Sequence, residues 1–391
     1  MSQIIKVIIV FVCMSHSWLV GAVEITELNP IEKISIKSKA FDEPIEFNIT
    51  LPASYNEAKD KKYFLIFDLH PRSQPYLSGI HDWLSHNGEW PWLESIIVTP
   101  ASYHSGLAKL FEETVETPSD NRLLDLLEFE ILKIVDEKYR TNGFKIYSGF
   151  MSNGAIGLYA LLNRPQLFNA YFISSPTLSN NFLAINSDGK NKLPQLTDKS
   201  RFLYITIGQH DYEKLHVEAV GLFEQVLNTS APKELDWSVI KDDEHHYMSR
   251  PIFTVLNGIE KLFDDYHNNL AAGSEISKQG SQSIINYYMV LSKNKYGFPV
   301  SAEGSLNNLA KSFLTIDPQK ALTIYRKVVK LYPESAYAYS ALAAAYMKTD
   351  EVNKAIDYQT IAVKKSEKMI KWHQNKHNKL LFDYKAKSEK K

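Results

Sequence analysis

Apolar runs of strand length, separated by segments with helical spacing, constrain this chain most. Tyr63–Phe67, Ile96–Val98, Tyr171–Ser174 and Phe202–Ile207 are such runs, and Phe144–Ser148 reads as a further strand. Runs apolar on both faces suit strands buried between two layers of helices. Between them, Leu123, Leu126, Leu127, Ile131, Ile134 and Val135 recur at helical spacing, as do Val217, Val220, Phe223 and Val226. Ile45–Ile49 alternates with period two, Trp237–Ile240 is the last strand, and a helix near Ile252–Phe263 closes the series. This βαβ rhythm predicts an α/β fold, with a mostly parallel sheet covered by helices on both faces.

The flanks read differently. An apolar run, Val7–Val12, follows Lys6, and Leu19–Ala22 offers small residues for cleavage. This is the three-part pattern of a secretory signal over residues 1–22, so a periplasmic or secreted protein is expected. His16 and Ser17 cut the run short of a membrane span, and no later stretch is long enough for one. The single cysteine, Cys13, lies inside the leader, which removes cysteine nucleophiles, thiolate metal sites and disulfides from the mature chain. A formal net charge of −1 provides no global field toward nucleic acid or anionic membrane.

The expected organisation is an α/β unit over 23–265, a helical linker over 266–300, a repeat module over 301–370 and a basic tail over 371–391. The repeat signal is Ala321–Tyr325 and Ala355–Gln359, which begin 34 residues apart, with Pro333, Tyr339, Leu342, Ala343 and Tyr346 between them. That is the tetratricopeptide period and pattern, so an all-α helical module with a possible protein or peptide partner is expected. Two repeats bury little surface alone, so the module should lean on the α/β unit. The lysine-rich tail, with His373 and His377, reads as a solvated helical end or frayed terminus.

The strand ending at Ser148 runs into Gly149-Phe150-Met151-Ser152-Asn153-Gly154 and then a helix. A strand, a tight turn and a helix form the nucleophile elbow of α/β-hydrolases, G-x-S-x-G, whose glycines make room around a strained apex. The chain resembles the enterochelin-esterase-like α/β-hydrolases, in the branch fused to tetratricopeptide repeats. The resemblance rests on Leu51–Tyr55, Phe67–His70, Tyr139–Asn142, Gly149–Gly154, Leu158–Phe168, Ser174–Pro176 and Asn257–Phe263. It implies an exported carboxylic-ester hydrolase with a Ser-His-Asp type site, a small-molecule ester substrate and no cofactor.

The turn fits that pattern in two registers. With Ser152 as nucleophile, Gly154 is the later small residue, but Phe150 crowds the earlier position. Counting from Asn163-Arg164-Pro165 instead puts the family's serine on Met151, with Gly149 kept and Asn153 replacing the later glycine. Methionine cannot attack an ester, so this second register implies a pseudo-hydrolase that binds a ligand in the old pocket or a partner through the repeats. Both registers stay open.

The resemblance places the acid after Ile207, at Asp211 with Glu213 as alternative; an aspartate there also suits a helix cap. It places the base in Asp242–Ser249, a Glu-x-His-x-Ser-like loop, at His246 in preference to His245. Backbone N–H groups of Asn153 and of Leu69 or His70 would form the oxyanion hole, since Pro71 has none. Trp83, Trp90 and Trp92 are expected near the functional edge, as pocket lining or as core. His210, His245 and His246 lack the spacing of a metal motif, and no metal is expected.

Overall fold

The computed structural model describes residues 30–86, 88–369 and 371–389, without the side chain of Asp211. The leader expected over residues 1–22, with Cys13, lies outside the described residues. Eight strands form one sheet: β1 (Ile31–Ile36), β2 (Ile45–Thr50), β3 (Tyr63–Asp68), β4 (Ser95–Pro100), β5 (Thr141–Phe150), β6 (Ala170–Ser174), β7 (Arg201–Ile207) and β8 (Leu235–Lys241). Their order is β1-β2-β4-β3-β5-β6-β7-β8. β1 and β2 pair antiparallel, as do β2 and β4. Every later pairing is parallel. The α/β reading therefore holds, with an antiparallel edge on a parallel sheet.

Every residue of β3, β4, β6 and β7 is buried, as doubly covered strands must be. Leu65 and Phe67 join one core, and Phe64 and Ile66 the other. The first core is covered by α2 (Ser105–Glu116), a helical stretch over 122–138, α3 (Ser152–Asn163) and α4 (Lys214–Ser230). The stretch over 122–138 includes a π-helical segment, Leu126–Leu132. The second core is covered by α1 (Ser73–Ser85) and α5 (Arg250–Leu262).

The chain continues through α6 (Ser281–Val290), α7 (Glu303–Phe313), α8 (Pro318–Leu331), α9 (Ala336–Lys348), α10 (Val352–Lys365) and α11 (Lys371–Glu389). Their starts are written locally. Asp317 caps α8 by accepting from Lys320 N–H at 3.0 Å, with Pro318 in the first turn. Ser335 caps α9 by accepting from Ala338 N–H at 3.1 Å. Ala321 and Ala355, the residues spaced at the repeat period, are both fully buried. These helices share the second core of the sheet. Tyr296 lies 5.9 Å from Phe144 of β5 and 5.6 Å from Phe263, and its hydroxyl donates to Leu262 C=O at 2.9 Å. The tail is helical and largely exposed, as a solvated helical end would be, but it is not frayed, because α11 packs on α10. His377 is fully buried, and Gln359 Nε2 donates to its carbonyl at 2.9 Å.

Candidate active site

The turn after β5 has one strained residue, Met151, with φ 53° and ψ −122°. Ser152 is already the first residue of α3. A non-glycine residue in this region costs of order 1–3 kcal/mol and persists only where its surroundings impose it. Met151 N–H donates to Ser174 C=O at 3.0 Å, while its own carbonyl accepts from Ala155 N–H at 3.0 Å and Thr177 N–H at 3.2 Å. Gly149 is obligatory here. A Cβ on it would lie 2.7 Å from Asn153 O and 2.8 Å from the Tyr147 ring. The side chain presented at the apex is therefore a thioether.

The loops that should carry acid and base hold a different arrangement. Asp211 opens the short 3-10 helix Asp211–Glu213 ahead of α4, and its side chain lies outside the described residues. Glu213 is fully buried and grips Arg250, also fully buried. Arg250 Nε donates to Glu213 Oε1 at 2.6 Å and Nη2 to Oε2 at 2.9 Å, a bidentate pair. The Ser175 hydroxyl donates to the same carboxylate. Arg250 also pairs with Asp242 Oδ2 at 2.9 Å and donates to His245 C=O at 2.7 Å. Glu213 thus neutralises a guanidinium rather than orienting an imidazole.

The two adjacent histidines, His245 and His246, are held differently. His246 is exposed, and its Nδ1 accepts from Met248 N–H at 3.2 Å. His245 is held by a carboxylate: its Nδ1 lies 2.8 Å from Asp242 Oδ1, and its ring stacks on Phe253 at 3.7 Å. The ring that reaches the elbow is Tyr247, stacked 6.3 Å from Phe150 and edge-on to Tyr212 at 6.2 Å. Tyr247 stands two residues before Ser249, where a Glu-x-His-x-Ser loop would carry its histidine. Counted from Glu244 instead, the same pattern puts its histidine at His246.

On the oxyanion side, His70 N–H is occupied, donating to Asp68 Oδ1 at 2.8 Å, so His70 does not serve as a free donor. Leu69 is buried beside it. With Met151 at the apex, the following N–H belongs to Ser152 rather than Asn153, whose carbonyl accepts the Tyr147 hydroxyl at 2.7 Å. A cavity of about 380 Å³ opens between this loop, α2 and α3, with Asn153 on its wall. Asp68 closes its own small network: burial pushes its carboxyl up to about 6 from the ordinary 3.8, against hydrogen bonds from His70 N–H, Ser73 and Ser148.

A raised folded-state pKa makes a stabilising contribution that is complete below the unfolded value and is lost as pH rises through the folded one. A shift of this size corresponds to about 3 kcal/mol at most. Asp68→Asn is therefore expected to raise stability by about 1–2 kcal/mol at pH 8 and to leave it unchanged at pH 3.5. Urea midpoints at the two pH values check this; an equal effect at both would contradict it.

Of the two expectations for the tryptophans, core holds for Trp92 and placement near the functional edge does not hold for Trp90 and Trp92. Trp92 is fully buried core, while Trp83 and Trp90 are exposed, Trp90 against His267 at 4.5 Å. Trp90 and Trp92 precede β4, at the end of the sheet opposite the elbow. Among the described residues, no group of three or more His, Cys, Asp or Glu side chains is arranged to hold a metal ion. His210 Nε2 instead donates to Asp243 C=O at 2.9 Å.

No family model matches the sequence, and no curated protein matches it. The fold is similar to solved structures. An IroE-like serine hydrolase from Shewanella oneidensis aligns at 19% identity and a TM-score of 0.59, covering 78% of this chain and 100% of its own. A siderophore hydrolase, EstB from Aspergillus nidulans, aligns at 16% identity and a TM-score of 0.51, covering 61% of this chain and 95% of its own. An uncharacterised protein from Capnocytophaga ochracea covers 91% of this chain and 100% of its own, at 15% identity and a TM-score of 0.65. At these identities the likeness is one of fold: an esterase-type α/β sheet, here with a helical C-terminal region.

Proposed function

We propose that the chain is a non-hydrolytic member of the esterase fold that binds a small organic ligand beside the elbow. The carrying observation is the backbone of Met151: the strained apex holds a methionine, and Ser152 starts the helix behind it. Tyr247 over Phe150 and the Glu213–Arg250 clamp support the same reading, since a tyrosine ring flanks the elbow and the alternative acid, Glu213, is bound to a guanidinium. An inert nucleophile position leaves a His–Asp pair with nothing to activate.

A fluorophosphonate probe and a short-chain nitrophenyl ester test this on the full chain. The expected result is no labelling and no turnover above buffer, unchanged in Ser152→Ala. Labelling at Ser152 that disappears in Ser152→Ala would overturn it.

One observation favours a second reading, carboxylic-ester hydrolysis from Ser152. His245 keeps a carboxylate partner at 2.8 Å in Asp242, a base already oriented for general-base work. The serine hydrolase and siderophore hydrolase among the similar structures make that chemistry the alternative for this fold. Export, to the periplasm or outside the cell, belongs to either reading and rests on residues 1–22. A peptide-binding role for the helices α8–α10, as tetratricopeptide-like repeats, rests on the period shared by Ala321 and Ala355. Among the described residues, no helix is long and apolar enough to cross a membrane.

A further inference from the structure

The cavity beside the elbow has a chemistry that narrows its ligand. Its volume, about 380 Å³, falls in the range of small-molecule sites. Leu69, Phe111, Leu123 and Ile156 line it with apolar surface, and its described lining residues include no aspartate or glutamate. The cation in the wall is Arg72, which is exposed, and whose guanidinium has no carboxylate partner among the described residues. Elsewhere in the molecule, arginines such as Arg122, Arg164, Arg201 and Arg250 are paired with carboxylates.

The two histidines in the wall each accept a backbone N–H. His70 Nδ1 accepts from Arg72 N–H at 3.1 Å, and burial together with the Arg72 charge lowers its pKa. His104 Nδ1 accepts from Leu107 N–H at 3.2 Å, so its Nε2–H donates to Glu43 C=O at 3.2 Å. The cavity therefore combines apolar walls with one fixed, unneutralised positive charge and a spare N–H on His70. An apolar neutral molecule would leave Arg72 uncompensated, and a dianion would leave one charge against apolar surface.

We propose that this cavity takes a monocarboxylate with an apolar chain or ring, its carboxylate at Arg72 and its body between α2 and α3. The assignment rests on the non-hydrolytic reading above and names the ligand class for that site. Arg72 offers the bidentate geometry that carboxylates accept, and such charge-assisted bonds are roughly twice as strong as neutral ones. The body of the ligand supplies affinity by leaving water, at about 25 cal/mol per Å² of apolar surface.

Calorimetry on the full chain with octanoate, octan-1-ol and acetate tests it. Octanoate is expected to bind at least about tenfold more tightly than octan-1-ol, and acetate not detectably. Arg72→Gln should bring octanoate and octan-1-ol to within about threefold of each other. Ala108→Trp, which fills the cavity from its partly exposed wall, should abolish both; its thermal melt establishes that it is folded. Equal binding of octanoate and octan-1-ol, octanoate binding that survives Ala108→Trp in a folded protein, or no octanoate binding would each overturn the proposal. Ester turnover by the parent would remove the non-hydrolytic reading instead, and it is read in a separate assay.

Discussion

Replacing Arg250 by methionine is expected to lower the unfolding free energy by about 3–5 kcal/mol. Arg250 and Glu213 are both fully buried, and the guanidinium also serves Asp242 and two backbone carbonyls. Removing the arginine leaves the Glu213 carboxylate in the interior with only the Ser175 hydroxyl. It also takes a donor from Asp242, which already holds His245. The cost is that of stranded charge, not of a lost attraction, so neutralising the partner should recover part of it. Arg250→Met in a Glu213→Gln background should therefore cost clearly less than in the parent, with a coupling of about 1–3 kcal/mol. Urea unfolding of the four proteins measures the cycle. A loss below about 1 kcal/mol for Arg250→Met, or no coupling to Glu213, would contradict this account of the clamp.

The sheet was legible because burial on both faces leaves its mark residue by residue. β3, β4, β6 and β7 are nearly unbroken apolar runs, and no other element of that length needs such a composition. The elbow was legible as a turn but not in register. Ser152 and Gly154 allowed one reading and Gly149 the other, and only a backbone angle, φ 53° at Met151, distinguishes them. The Glu213–Arg250 pair could not be read at all. The two residues are 37 apart, on different elements, and a buried pair leaves no local pattern. Asp242 and His245 are three residues apart in one turn, so their pairing was within reach of local reasoning. Among the helices, the 34-residue interval marked Ala321 and Ala355, but nothing local announced that Tyr296 would stack on Phe263. Long-range packing is decided by shape and area, which the linear pattern does not carry.

Rebuilding the nucleophile and base is expected to create an esterase from the parent that the proposed function makes inert. Met151→Ser places a hydroxyl on the strained apex, and Gly149 already keeps the turn clear of a Cβ at 2.7 Å from Asn153 O. The N–H groups of Ser152 and Asn153, in the first turn of α3, have no partner within the helix and lie behind the apex, where an oxyanion would form. A hydroxyl alone is a weak nucleophile, so Met151→Ser should react slowly with a fluorophosphonate and turn over nitrophenyl acetate only slightly. Tyr247→His then brings an imidazole to the flank of Phe150, where the tyrosine ring now stacks at 6.3 Å. A positioned general base contributes about 10²–10⁴-fold, and the lower end is expected here because Glu213 stays bound to Arg250. The double variant should therefore exceed Met151→Ser by about 10²-fold in kcat/KM, and Tyr247→His alone should remain inert. That ordering separates a vacant catalytic frame from a mere hydrophobic pocket, because only the former needs both changes. A folded double variant no faster than the parent would mean that the frame around Met151 no longer holds reactive geometry, and that the fold persists here for binding alone.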